Sequence, residues 1–254
     1  MKRPPEPRLR SHVVLAALVL SLASASGPAT GGDVAAPAAL KPYTARYQVS
    51  YRGLSGGQIE SSLRRGSAPG QWLYETRAYP NLLGRIAVSP QARERSTMLV
   101  TGDGVRPLSF DFNDGSDSST KDVRFTFDWN AALVRGENEG EPFELEIRPG
   151  TQDTASVQAS MIVALLDGRS PKGFQILTGS KLRYYRYWPE GRDTVTTPYG
   201  RYEAVVWASQ RDGSSRVTKV WHAPALGFVP VQAIQYRKDR EEVQMRLVAL
   251  ERGP

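Results

Sequence analysis

The sequence contains no cysteine. Disulfides, thiolate-bound zinc, iron–sulfur clusters and thiol nucleophiles are therefore excluded. Histidine is nearly absent too, with only His12 and His222. A histidine-rich metal site cannot be built from one residue once the N-terminal segment is set aside. No stretch of about 20 apolar residues, the length a membrane-spanning helix requires, occurs anywhere. No Gly-rich phosphate loop, no dinucleotide fingerprint and no G-x-S-x-G elbow is present. What the chain does have, over 254 residues, is 40% hydrophobic and 23% charged residues. That balance suits a folded domain with a real core and does not suit a wholly disordered chain.

The N-terminus reads as an export signal. Lys2, Arg3, Arg8 and Arg10 precede an apolar run from Val13 to Leu22, and Ala23-Ser24-Ala25 follows with small residues at cleavage spacing. The run is too short to be a spanning anchor. No cysteine follows it to carry lipid, and no adjacent arginine pair precedes it, which points to the general secretory route and a periplasmic location. Cleavage after Ala25 removes a net +3 and leaves +4 of the formal +7. Such a modest surplus does not call for nucleic acid. Residues 26–42 shift to Gly, Ala, Pro and Thr and read as a disordered linker. Every Trp, Tyr and Phe lies between Tyr43 and Tyr236. One domain over 43–252 is therefore expected.

Period-2 alternation dominates that domain. From Tyr43 to Arg52 the odd positions are apolar or aromatic and most of the even ones polar. Leu108, Phe110 and Phe112 alternate with polar neighbours, as do Phe125, Phe127 and Trp129. Further strands are expected at 58–65, 71–78, 143–147, 174–177, 182–188, 202–209, 216–222, 228–236 and 243–250. Turn residues separate most of them, for example Asn113-Asp114-Gly115 and Asp212-Gly213. One helix is expected over Asp153–Leu166, capped by Thr151 or Asp153 and closed at Asp167-Gly168. About a dozen antiparallel strands must curl or close to protect their edges. The expected fold is mainly β: a single antiparallel curled sheet, half-barrel, barrel-like or clam-like, with one main helix packed against it.

Candidate chemistry is sparse. His222 ends a strand in Trp221-His222-Ala223-Pro224, and a hydrolytic triad built on it, with Ser156 at the helix start, has no supporting motif. Asn113 to Ser118 is oxygen-rich but lacks calcium-loop spacing and reads as a hairpin tip. Glu137, Glu139 and Glu141 read as a solvated loop set by Gly136, Gly140 and Pro142. Glu144 and Glu146 read as the polar face of a strand. The stretch Lys181 to Trp188 breaks alternation, with Arg183, Tyr184, Arg186 and Trp188 distributed over both faces. Arginine beside Tyr and Trp suits anionic or sugar-bearing groups.

Several segments in order resemble the bacterial exported family known as domain of unknown function 3108. They are Tyr47 to Tyr51 with Gly57, Gly104 to Phe110, Phe127-Asp128-Trp129, and Asp153 with Ser156. The C-terminal part matches best, in Thr197 to Ala204, Trp221 to Pro224 and Phe228 to Val231. The resemblance implies a periplasmic β-rich protein and supplies neither catalytic residues nor a cofactor. It also implies an apolar residue where His222 stands here.

The expectation is a non-enzymatic periplasmic protein that binds a lipid-like or amphipathic small molecule on the concave face of its sheet. Trp129, Arg183, Tyr184, Arg186, Trp188, Trp221 and His222 are the candidate ligand contacts, with no metal and no cofactor. An envelope protein–protein scaffold is the alternative. A carboxylate-dependent hydrolase acting on cell-wall glycan is the second alternative.

Overall fold

The computed structural model describes residues 40–116 and 121–253. The export signal, most of the linker, and Asp117 and Ser118 of the oxygen-rich turn lie outside the described residues. Fifteen strands and one α-helix follow one another among the described residues. The first half holds β1 (Tyr43–Tyr51), β2 (Leu54–Arg65), β3 (Gln71–Pro80), β4 (Arg93–Thr101), β5 (Gly104–Asn113), β6 (Val123–Asp128), β7 (Leu133–Asn138) and β8 (Glu141–Glu146). Then come β9 (Gln152–Asp153), α1 (Ser156–Leu166), β10 (Gly173–Thr178), β11 (Lys181–Thr197), β12 (Gly200–Arg211), β13 (Arg216–Ala223), β14 (Val229–Arg237) and β15 (Arg240–Arg252).

All fifteen strands form one sheet, in the order β8 back to β1, then β15 back to β9. The first and last strands pair in the middle, with Tyr47 opposite Leu247. The two free edges, β8 and β9, are consecutive in sequence, so the meander is a barrel left open at one seam. Every neighbouring pair is antiparallel except β9 and β10, which run parallel and are joined through α1. That pair is the one departure from the expected antiparallel sheet. A parallel pair needs a crossover, and α1 supplies it.

Contacts across the interior show how far the sheet curls. The Gln152 side chain on β9 donates to the Val105 carbonyl on β5 at 3.0 Å. At the other end, the Tyr199 amide donates to the Leu247 carbonyl at 3.1 Å, which folds the β11–β12 tip over β15. Register shifts within β1, β4, β11, β13 and β14 bend the strands locally.

The inward side chains of both halves meet in one cluster. It runs from Tyr43, Tyr47, Leu63 and Met98 through Phe110 and Phe125 to Val206, Trp221, Val231 and Leu247. Ala159 and Ile162 of α1, with Ala155 just before it, belong to the same cluster. The helix therefore fills concave space and does not merely lie outside. Its opposite side is covered as well, because Val157 packs with Ile176 and Tyr185. Full burial of a side chain such as Leu63 or Leu247 stabilises the fold by about 1.5–3 kcal/mol.

The structure corrects four expectations. Among the described residues there are fifteen strands and not about twelve, because β4 and β7 carry too little alternation to be seen and β9 is only two residues long. Glu137 lies within β7 and Glu141 within β8, so only Glu139 is a turn residue. Gly136 is a strand residue opposite Phe125. Finally, the helix starts at Ser156, because Gln152 and Asp153 join the sheet. Asp153 still caps the helix through its side chain. The stretch from Lys181 continues as one long strand to Thr197 across a bulge at Pro189–Gly191.

Candidate functional site

Two features stand out, one sealed and one open. The sealed feature is a pair of carboxyl groups inside the curl. Alternation along β4 points Glu94, Ser96 and Met98 inward, all buried. Ser96 and Glu94 there meet the start of α1. The Ser96 hydroxyl donates to Asp153 Oδ2 at 2.7 Å. Asp153 Oδ1 accepts the backbone N–H groups of Ala155 at 2.9 Å and Ser156 at 2.6 Å. The Thr154 hydroxyl donates to Glu94 Oε1. Burial pushes the Glu94 carboxyl up to about 8, with the nearby Asp153 adding to the effect. Burial also raises Asp153 to about 6, and its donors only partly offset this. At neutral pH Glu94 therefore holds a proton. Glu94 is 3% exposed and Asp153 fully buried. Neither has a face open to a substrate.

The open feature is at the end of the curl where β1 turns into β2 and β3 loops to β4. Leu54, Leu82, Leu83 and Ile86 are exposed there by 64%, 82%, 57% and 87%. Tyr51 and Tyr79 flank them, each about half exposed. Leu83 is followed by a single 3₁₀ turn, Gly84–Ile86. The loop is pinned, not loose. The Asn81 side chain donates to the Ser55 carbonyl at 2.8 Å and accepts the Gly84 amide at 2.9 Å. Gly84 sits so close to β2 that a Cβ there would lie 2.0 Å from the Gly56 carbonyl oxygen. Only glycine permits that approach. The Arg52 amide bonds the Glu242 carbonyl at 2.8 Å, which brings the β14–β15 turn alongside.

The residues singled out from sequence do not converge on one groove. Trp129 stacks on Phe127 at 5.5 Å and donates to the Pro107 carbonyl at 2.7 Å. Trp221 is buried and donates to Asp193 Oδ2 at 2.9 Å. His222 is buried beside it in sequence, with Nδ1 2.9 Å from the Phe228 carbonyl oxygen. Burial lowers its imidazole to about 4, so it is neutral at physiological pH. Ser156 accepts the Asp153 amide at 2.9 Å. Each partner of the imagined triad is thus committed elsewhere. Tyr184 is exposed, Arg183 and Trp188 are half-buried, and Arg186 pairs with Asp212 at 2.9 Å. Tyr185 and Tyr187 occupy the other face of β11, where Tyr187 packs edge-on against Phe174 at 5.1 Å. Among the described residues no group of three or more His, Asp or Glu side chains is placed to hold a metal ion.

Sequence reading missed both features. Glu94 lies in Arg93-Glu94-Arg95-Ser96, where both faces are polar, so no period marks a strand. The open end had a signal that went unused: Leu82-Leu83 and Ile86 lie between the turn residues Asn81, Gly84 and Pro90, an apolar loop without a strand or helix period.

Comparison with known proteins supports the architecture. The β-barrel-like protein of domain of unknown function 1849 from Brucella abortus is similar over 85% of this chain and 99% of its own, at 14% identity and a TM-score of 0.54. The hypothetical lipoprotein YmcC of Escherichia coli is similar at 11% identity over 83% of this chain and 85% of its own, with a TM-score of 0.29. MucB, solved in complex with MucA, is similar at 10% identity over 84% of this chain and 51% of its own, with a TM-score of 0.33. The first of these carries the likeness of fold. No curated protein matches the chain. A family model does match, over residues 46–247, and the chain belongs to that family, described as protein of unknown function (DUF3108).

Proposed function

We propose that this is a non-enzymatic protein of the cell envelope that works by binding an amphipathic partner at the open end of its curled sheet. The observation that carries the reading is the collection of Leu54, Leu82, Leu83 and Ile86 on one rigid end, exposed to water. Exposed apolar side chains gathered in one patch mark an interaction site. The interior supports the same reading, since α1 and the inward aromatic residues fill the concave side. Binding is therefore assigned to the outside. The two interior carboxyl groups serve packing and helix capping, which supports a non-catalytic role. The export signal read in residues 1–25 supports a periplasmic setting, and no helix among the described residues is long and apolar enough to cross a membrane.

The test is site-specific photocrosslinking in exporting cells. A photoreactive residue at position 82 should give an adduct, protein or lipid, on irradiation. The same residue at Gly102, on the β4–β5 turn at the opposite end, should give none. Absence of any adduct at position 82 would remove the reading.

A further inference from the structure

We propose that the open end is a docking surface for the anionic face of a lipid bilayer. This rests on the reading of that end as the binding surface and names its partner. Two observations point to a bilayer in place of a protein. The first is shape. Leu82, Leu83 and Ile86 stand exposed on and beside one short turn. A bilayer accepts projecting apolar side chains without a matching pocket. Tyr51 and Tyr79, each about half exposed, lie at the ends of the neighbouring strands, and tyrosine suits the level of the lipid headgroups.

The second observation is charge. Arg85 lies within the apolar turn, Lys238 on the neighbouring β14–β15 turn and Arg240 at the start of β15, all three exposed. None of the three forms an ion pair among the described residues. Arg52, Arg216 and Arg237 gather around the single carboxylate of Glu242, at 3.2, 3.3 and 3.8 Å. One acidic group cannot neutralise three guanidinium groups, so that cluster keeps a positive surplus beside the apolar turn. Asp239 on that turn and Glu241 at the start of β15 are the acidic side chains beside them, and they do not cancel the surplus. A basic rim around an apolar tip is the pattern that anionic lipid headgroups recognise. Attraction of this kind is diffuse and weakens with salt.

The full chain purified from exporting cells should float with vesicles of phosphatidylglycerol and phosphatidylethanolamine. Binding should be much weaker on phosphatidylcholine alone and should fall with added salt. The variant Leu82→Ser/Leu83→Ser/Ile86→Ser should lose at least tenfold in vesicle binding while melting at the wild-type temperature. Those side chains touch solvent, so their loss leaves the fold intact. A second variant, Arg85→Glu/Lys238→Glu/Arg240→Glu, should lose the preference for phosphatidylglycerol. Wild-type protein that stays unbound on anionic vesicles would overturn the proposal, as would a serine variant that binds like wild type. A protein adduct at position 82 combined with no vesicle binding would overturn the lipid assignment and leave the binding reading standing. No adduct and no vesicle binding would remove both.

Discussion

The Ser96 hydroxyl lies 2.7 Å from Asp153 Oδ2 and donates to it, which ties the fourth strand to the start of α1. Asp153 belongs to the opposite edge of the sheet, so this bond helps hold the curl together. Its other oxygen takes two helix N–H groups that would otherwise be buried without partners. Replacing Asp153 by Ala should therefore cost about 2–4 kcal/mol, the sum of a lost cap and newly orphaned buried donors. Asp153→Asn keeps an acceptor oxygen and should cost less than half as much. Urea denaturation of the two variants checks this. Equal losses would mean that the negative charge matters and the hydrogen bonds do not.

Glu94 makes stability depend on pH with a definite sign. Its folded carboxyl titrates at about 8 against an ordinary 4.5. Between those values the folded chain keeps a proton that the unfolded chain has released, so stability falls as pH rises. Asp153 acts in the same direction between its ordinary 3.8 and about 6. His222 acts oppositely: burial lowers it from 6.5 to about 4, so stability rises with pH across that window. Above pH 6.5, Glu94 is the one of these three still titrating. Stability should drop by up to about 2 kcal/mol between pH 6.5 and 8. Glu94→Gln mimics the neutral acid and should flatten the profile there. Thermal melts at half-unit pH steps decide it, and a wild-type profile already flat from 6.5 to 8 would refute the assignment.

The architecture was legible because several strands, β1, β5 and β6 among them, obey a clear alternation. Phe125 and Phe127, or Tyr43, Ala45 and Tyr47, announce both the strand and its inner face. The helix was legible for the opposite reason, a run from Val157 to Leu166 too apolar and too long for a strand. What stayed hidden was polar matter placed inside. Glu94 and Ser96 break the alternation of their strand because they serve the helix cap, a contact between positions almost sixty residues apart. No local pattern encodes such a partner. The aromatic and basic residues from Arg183 to Trp188 drew attention for their chemistry, but chemistry does not say which side of a strand is covered. Tyr185 is buried under α1 and Tyr184 faces solvent.

The outer face of the third strand carries a separate test of electrostatics. Glu75 is only 4% exposed there, beneath Arg77 and Arg95 at 2.7 Å and Arg64 at 3.7 Å. Burial alone would raise its carboxyl, but hydrogen bonds from Arg95 and Arg77 outweigh this and hold it below the ordinary range. A carboxyl lowered in this way adds stability above pH 4.5 and loses it as pH falls through the folded value. Glu75→Gln should cost about 1–2 kcal/mol at pH 7, discounted because the arginines are half exposed. At pH 3 the difference from wild type should shrink. A gap that is the same at both pH values would show that packing, not charge, holds Glu75 in place.

Gly136 shows why a glycine sits in the middle of a strand that reads as a loop. It pairs directly with Phe125, whose ring stacks on Phe110 at 4.7 Å and meets Phe143 edge-on at 6.0 Å. A Cβ on Gly136 would fall 2.1 Å from the Arg124 carbonyl oxygen and 2.5 Å from Phe125 Cβ. Backbone atoms cannot yield that much without breaking the β6–β7 ladder. Gly136→Ala should therefore destabilise by about 2–3 kcal/mol or more, through overpacking and not through backbone strain. Gly102→Ala is the control, since a Cβ there meets nothing within 4 Å. That change should stay within about 0.5 kcal/mol of wild type. Near-ultraviolet circular dichroism adds a second readout, because a displaced Phe125 would disturb the aromatic stack even where folding survives. If Gly136→Ala melts like Gly102→Ala with an unchanged aromatic spectrum, the close approach of the sixth and seventh strands is wrong.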